Sequence, residues 1–171
     1  MSRLRRLEDR DRIFFVTSNI ARTQTPLVPI ERDLVLETLA TQRAAGRLLL
    51  FAYVVMPDHV HLLLAARELG LAAAMRDFKQ LVTHRLAQDS KRSGPLLQPR
   101  YFDRILRAAR DFTEKLDYIH NNPVAAGLCA APTAWRWSSA AAYAKSLDGC
   151  EAPLPVDTID LPCDSKAWLR P

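Results

Sequence analysis

Apolar residues along the chain switch between two spacings, and the switches mark its elements. Ile13, Phe14, Phe15 and Val16 open a β-branched, aromatic run that predicts a first strand over 12–19. Pro26 and Pro29 make 23–29 a loop. Leu34, Val35, Leu39 and Ala40 fall at helical spacing, so a helix is expected over 30–45, stopped by Gly46. Leu and Val dominate 47–55, a second strand. Met56, Pro57 and Asp58 form a turn, and 59–66 returns as a third strand, which makes an antiparallel hairpin. Met75, Phe78, Val82 and Leu86 recur every three or four residues in a helix over 69–89. A Gly/Pro/Ser loop follows at 90–99, then a short strand over 101–106. The last clear helix spans 110–121, with Asp111 near its start and Pro123 just past its end.

Strand, helix, strand, strand, helix, strand, helix is an α+β order. Two strand–helix–strand units split around a hairpin give an antiparallel sheet with helices on one face, the ferredoxin-like βαββαβα core. After Gly127 the periodicity decays, and Trp135, Trp137 and Tyr143 are expected to fold back on the core. The expected organisation is one domain over 1–145 and a loosely held, proline-rich tail over 146–171.

Composition narrows the class. The 171 residues suffice for one domain with its own core, and 49% hydrophobic with 25% charged residues is a globular balance. No apolar run has the length of a signal-peptide core or a membrane span. Cys129, Cys150 and Cys163 are odd in number and fit no zinc or redox spacing, which points to a reduced cytoplasmic protein. A net charge of +5 suggests a polyanionic partner.

The chemistry gathers at two places. His59 and His61 lie two apart on a strand, so both imidazoles leave the same face and form a divalent-metal half-site. The plain alternative is two polar residues on a wet strand face, but Val60 and Leu62 to Leu64 mark this strand as buried, where two histidines need a partner. A histidine-triad hydrolase would need a third histidine at position 63, which is Leu63; barrel amidohydrolases need a much longer chain. At the end of the last helix, Tyr118 and Asn122 stand one turn apart on a shared face. A tyrosine hydroxyl can form a covalent intermediate, and a carboxamide oxygen is a hard ligand for Mg²⁺ or Mn²⁺. A buried tyrosine before an Asn-Pro helix stop is the plain alternative. His120 faces elsewhere and reads as a capping or surface contact.

Basic residues crowd 76–110. Lys79, Arg85, Lys91, Arg92, Arg100, Arg104 and Arg107 are the candidates for a groove that tracks DNA phosphates; a solvated helix face is the bland reading. Arg3, Arg5, Arg6, Arg10 and Arg12 make either a second basic arm or a frayed terminus.

These blocks together resemble one family. Val54-Val55-Met56-Pro57-Asp58-His59-Val60-His61-Leu62-Leu63-Leu64 is similar to the histidine block of single-tyrosine transposases of the insertion sequence 200/605 kind. Tyr101 to Arg107, then Asp117-Tyr118-Ile119-His120-Asn121-Asn122-Pro123-Val124, then Trp135-Arg136-Trp137-Ser138-Ser139, resemble the REP-associated branch. The likeness covers most of the chain, from about residue 14 to 143, and the second block is highly specific in order and spacing. Asp58 stands where Asn is frequent, and Asn122 where some relatives carry Gln. The resemblance implies a ferredoxin-like core in which the histidine pair and Asn122 hold Mg²⁺ or Mn²⁺. It implies Tyr118 as nucleophile on a phosphate of single-stranded DNA beside a hairpin, leaving a 5′-phosphotyrosine and a free 3′-OH. It implies a monomer, or a homodimer of the kind that swaps the tyrosine helix between subunits. A short connection from the last helix to the core would instead favour a site completed within one chain. The alternatives are a relaxase or replication-initiator nickase, which often carries a second tyrosine on the helix, and a domesticated hairpin-binding protein that does not cut.

Overall fold

The computed structural model describes residues 12–67, 70–89, 92–144 and 152–157. Its elements run β1 (Ile13–Asn19), α1 (Pro29–Ala44), β2 (Leu48–Val55), β3 (His59–Ala66), α2 (Gly70–Asp89), β4 (Phe102–Ile105) and α3 (Ala109–Ala125). A 3₁₀ turn at Pro132–Ala134 and a short helix, α4 (Ala140–Tyr143), follow. The four strands form one antiparallel sheet in the order β2-β3-β1-β4, the α+β arrangement expected from the sequence.

The two sheet faces carry separate cores. Phe14, Val16, Leu62 and Leu64 pack with Val35 and Leu39 of α1 and Phe78 and Val82 of α2. Phe15, Leu63 and Ala65 point the other way and pack with Phe112 and Ile119 of α3. The helices therefore do not all share one face: α1 and α2 cover one side and α3 covers the other. β2 and β3 are buried almost throughout, as a strand covered on both faces must be. A bulge at Phe51 lets β2 serve both cores, because it directs Phe51 and Ala52 to the α3 side in succession.

Helix ends follow backbone chemistry. Gly46 (φ 66°) ends α1, with the Gly46 N–H donating to the Arg43 carbonyl and the Arg47 N–H to Gln42. α3 runs further than expected. Proline removes one donor without ending the turn, so Pro123 lies inside the helix. The stop is Gly127 (φ 70°), with its N–H on Val124 and the Leu128 N–H on Pro123. This extension keeps Asn122 helical, one turn from Tyr118.

The tryptophan segment does fold back, along the outer edge of β2. The Val55 N–H donates to the Trp137 carbonyl, the Ser139 N–H to the Tyr53 carbonyl, and Trp135 Nε1 to the Val55 carbonyl (3.1 Å). These bonds satisfy an edge that would otherwise pair with another chain. Within the stretch expected to be a loose tail, residues 152–157 are docked. The Tyr53 hydroxyl donates to the Leu154 carbonyl at 3.0 Å, and Asp157 binds Arg43 at 2.7 Å and the Leu50 N–H at 2.8 Å. Burial pushes the Tyr53 hydroxyl up to about 12. The rest of 146–171, with Cys150 and Cys163, lies outside the described residues, as do Arg3, Arg5, Arg6 and Arg10. Cys129 is a free thiol. Among the described residues no helix is long and apolar enough to cross a membrane.

Candidate active site

β3 and α3 build the site from opposite sides. His59 and His61 leave the α3 face of β3 with ring centroids 4.5 Å apart. Each imidazole has its Nδ1 engaged: His59 Nδ1 with Asp58 Oδ1 at 2.7 Å, and His61 Nδ1 with Thr17 Oγ1 at 2.8 Å. Thr17 is in place because β1 pairs with β3 in the register Thr17↔His61. With Nδ1 committed, both Nε2 atoms turn toward α3 and meet the Asn122 carboxamide, at 3.2 Å from His59 and 3.3 Å from His61. Outer partners that fix ring orientation in this way are what metal-binding histidines need.

His61 is 4% exposed and lies against the Phe15 ring, centroids 5.4 Å apart. Burial above all, and then the charges of His59 and Lys115, hold it neutral by lowering it to about 3; Asp58 opposes this. A neutral imidazole is the form that donates a lone pair to a metal. His59 Nε2 lies 3.2 Å from the Asn122 Oδ1, so an imidazole nitrogen and a hard carboxamide oxygen stand side by side beside His61. The donor set therefore fits a hard divalent ion: two imidazole nitrogens and one carboxamide oxygen. Among the described residues no group of three His, Cys, Asp or Glu side chains could hold a metal ion, and the Asn122 amide is the further donor that stands against this histidine pair.

Tyr118 completes the cluster. Its ring lies 5.2 Å from that of His61 and 5.8 Å from that of Phe15, and it is 47% exposed. One chain supplies all four side chains, and only residues 106–108 join β4 to α3. His120 points away and is buried, its Nε2 2.9 Å from the Ser139 Oγ, so it ties the tyrosine helix to the β2 edge rather than capping or meeting solvent. Burial lowers His120 to about 4.

The basic residues divide. Lys79 donates to the Gln98 and Pro99 carbonyls (2.8 and 3.0 Å), and Arg85 to the Thr41 hydroxyl of α1 (2.9 Å). Arg92 grips Glu31 at 2.7 Å and the Thr25 and Pro26 carbonyls. These three staple the fold. Lys91 lies outside the described residues. Arg100, Arg104 and Arg107 are exposed along β4 and its flanks. Arg104 pairs with Phe15 and Phe102 with Thr17, so both stand on the site's face of the sheet. Phe102, 60% exposed beside Phe15, presents an open aromatic ring on this face that the charge pattern did not single out. An unexplained aromatic at an otherwise polar strand edge was its one signal in the sequence.

The Arg92 assignment is testable by stability. Glu31 has a side chain only 4% exposed. Arg92→Ala removes the guanidinium from that buried carboxylate, which keeps the Val28 N–H at 2.9 Å, and should cost about 3 kcal/mol in denaturant unfolding. DNA affinity of the folded fraction should stay unchanged. Unaltered stability with weakened DNA binding would return Arg92 to the groove.

No protein-family model matches the chain. In sequence it is similar to the REP-associated tyrosine transposase of Escherichia coli (strain K12), 23% identical over 141 residues, which is 81% of this chain and 82% of that protein. In fold it is similar to a solved REP-associated tyrosine transposase bound to a REP hairpin, with a TM-score of 0.69 and 20% identity over 94% of this chain and 100% of that one.

Proposed function

We propose that this chain, a REP-associated tyrosine transposase by its likeness in sequence and fold, cuts single-stranded DNA beside a hairpin through a covalent tyrosine intermediate. The observation that carries the reading is the meeting of His59 Nε2, His61 Nε2 and the Asn122 amide at 3.2–3.3 Å, with an exposed tyrosine against the same histidine. His59, His61 and Asn122 would hold Mg²⁺ or Mn²⁺, which supplies charge neutralisation at the scissile phosphate when bound.

The chain's own residues do the rest. Asp58 and Thr17 engage both Nδ1 atoms and so hold the two imidazoles in the rotation that turns Nε2 toward Asn122. α3 carries Tyr118 on the face that looks at β3, so its hydroxyl approaches from the helix side. The Tyr118 oxygen attacks phosphorus, its proton passes to solvent, and the bond to the 3′ oxygen breaks. The 3′ oxygen takes up a proton and leaves as a free hydroxyl. The DNA 5′ end stays on Tyr118 as a phosphodiester. That linkage keeps the bond energy for rejoining, which hydrolysis would lose. Phe102 and Arg104 lie where the strand would cross the sheet edge, one suited to a base and the other to a phosphate. The partner is hairpin DNA with an unpaired flank; the solved relative is bound to a REP hairpin.

The test uses a labelled hairpin oligonucleotide with a single-stranded flank, Mg²⁺ or Mn²⁺, and a denaturing gel. An adduct and a free 3′-OH are expected with the flank unpaired, and neither with a full duplex of the same sequence, because the stacked partner strand blocks in-line approach. Binding should weaken steeply with salt as Lys and Arg release counterions. Equal cutting of duplex and single strand would refute the single-strand reading. Tight hairpin binding with no adduct in either metal would leave a domesticated binding protein.

A further inference from the structure

Lys115 is the one chemically active group at this site with no role so far. It sits on α3 one turn before Tyr118, half-buried, with Nζ 4.8 Å from the Phe15 ring centre and 5.3 Å from that of Tyr118. Among the described residues it makes no ion pair. Of the acids near it on α3, Asp111 Oδ2 accepts the Arg107 N–H at 3.0 Å and Glu114 holds Arg110 at 2.7 Å, and no ion pair joins the exposed Asp117 to Lys115 among the described residues. Asp58, the acid of the histidine pair, is bonded to His59.

Its placement is electrostatically odd. Two aromatic rings hold an ammonium, and both also contact His61 of the candidate metal-binding cluster, with centroids 5.4 Å away for Phe15 and 5.2 Å for Tyr118. A divalent cation at the His59–His61–Asn122 cluster would add a second positive charge on this side of the sheet, and an anion bound between the two would offset their repulsion. The group that fits between is a tetrahedral phosphate with the metal on one side. Resting on the reading above, we infer that Lys115 is a catalytic residue that contacts a non-bridging oxygen of the scissile phosphate and stabilises the charge that builds on it as Tyr118 attacks. Phe15 and Tyr118 fix the ammonium by cation–π contact, so it needs no reorganisation when DNA arrives. The decisive variant keeps an unbranched side chain at this half-buried position and deletes the charge.

Lys115→Met and Lys115→Arg are compared with the unaltered chain in single-turnover cleavage at saturating hairpin DNA, alongside hairpin Kd and Tm. Lys115→Met should lose about 100-fold in cleavage rate, the usual effect of deleting one preorganised transition-state contact. Its Kd and Tm should hold, because methionine keeps the packing. Lys115→Arg should recover to within about tenfold of the original rate. Cleavage by Lys115→Met within about threefold of the original overturns the inference. So does a loss matched in Kd or Tm, or an arginine variant as slow as the methionine one, since each describes a structural lysine. If the unaltered chain itself forms no adduct, the proposed function falls and this inference falls with it; if it forms the adduct and Lys115→Met does too, at the same rate, only the lysine assignment is lost.

Discussion

Tyr118→Phe should eliminate both the protein–DNA adduct and strand cleavage, and leave hairpin affinity and Tm essentially unchanged. The chain has four tyrosines, and three have hydroxyls or rings committed elsewhere. Tyr53 is fully buried with its hydroxyl on the Leu154 backbone. The Tyr143 hydroxyl donates to the Phe51 carbonyl at 2.6 Å. Tyr101 packs against the core on the α1–α2 side, under the Lys79 ammonium. Only Tyr118 is exposed beside the histidine pair. Phenylalanine removes one oxygen and preserves the edge contacts with Phe15 and His61, so any loss reports chemistry rather than packing. A denaturing gel with labelled hairpin reads both outcomes. An adduct in Tyr118→Phe would place the nucleophile on another residue. Cleavage without an adduct would make water the nucleophile and the protein a nuclease.

His61→Ala should likewise abolish cleavage, by at least about 100-fold at limiting Mg²⁺ or Mn²⁺, as should His59→Ala. The two differ in what else they disturb. His61 is buried against Phe15 and anchored by Thr17; its removal opens a cavity and should also lower stability by about 1–2 kcal/mol. His59 is partly exposed and bonded to the exposed Asp58, so its removal should leave stability within about 0.5 kcal/mol. Hairpin affinity should survive in both, because the exposed arginines of the β4 edge are untouched. Full activity of either variant at limiting metal would refute the metal site.

Much of the site was readable because it is written in local periodicities. Two residues apart on a strand put His59 and His61 on one face, and four apart on a helix put Tyr118 beside Asn122, whatever the rest of the chain does. The apolar runs at 48–55 and 60–66 likewise held the sign that the sheet is covered on both sides, since a half-wet strand alternates. Placing all helices on one face passed over that sign.

The sequence by itself determined the element order, the β2–β3 hairpin and the pairing of like-facing side chains, because turns and periods act between residues a few positions apart. Tertiary structure alone decided that α3 crosses to the far face and brings Asn122, 61 residues from His61, to within 3.3 Å of it. It decided too that Thr17 and Asp58 orient the imidazoles, that Lys115 stands in the site, and that Arg92 serves Glu31 rather than solvent. A charge or a donor in a sequence has a type but no partner. The partner is chosen by strand register and helix docking, and those are set by burying the apolar faces of the whole chain at once.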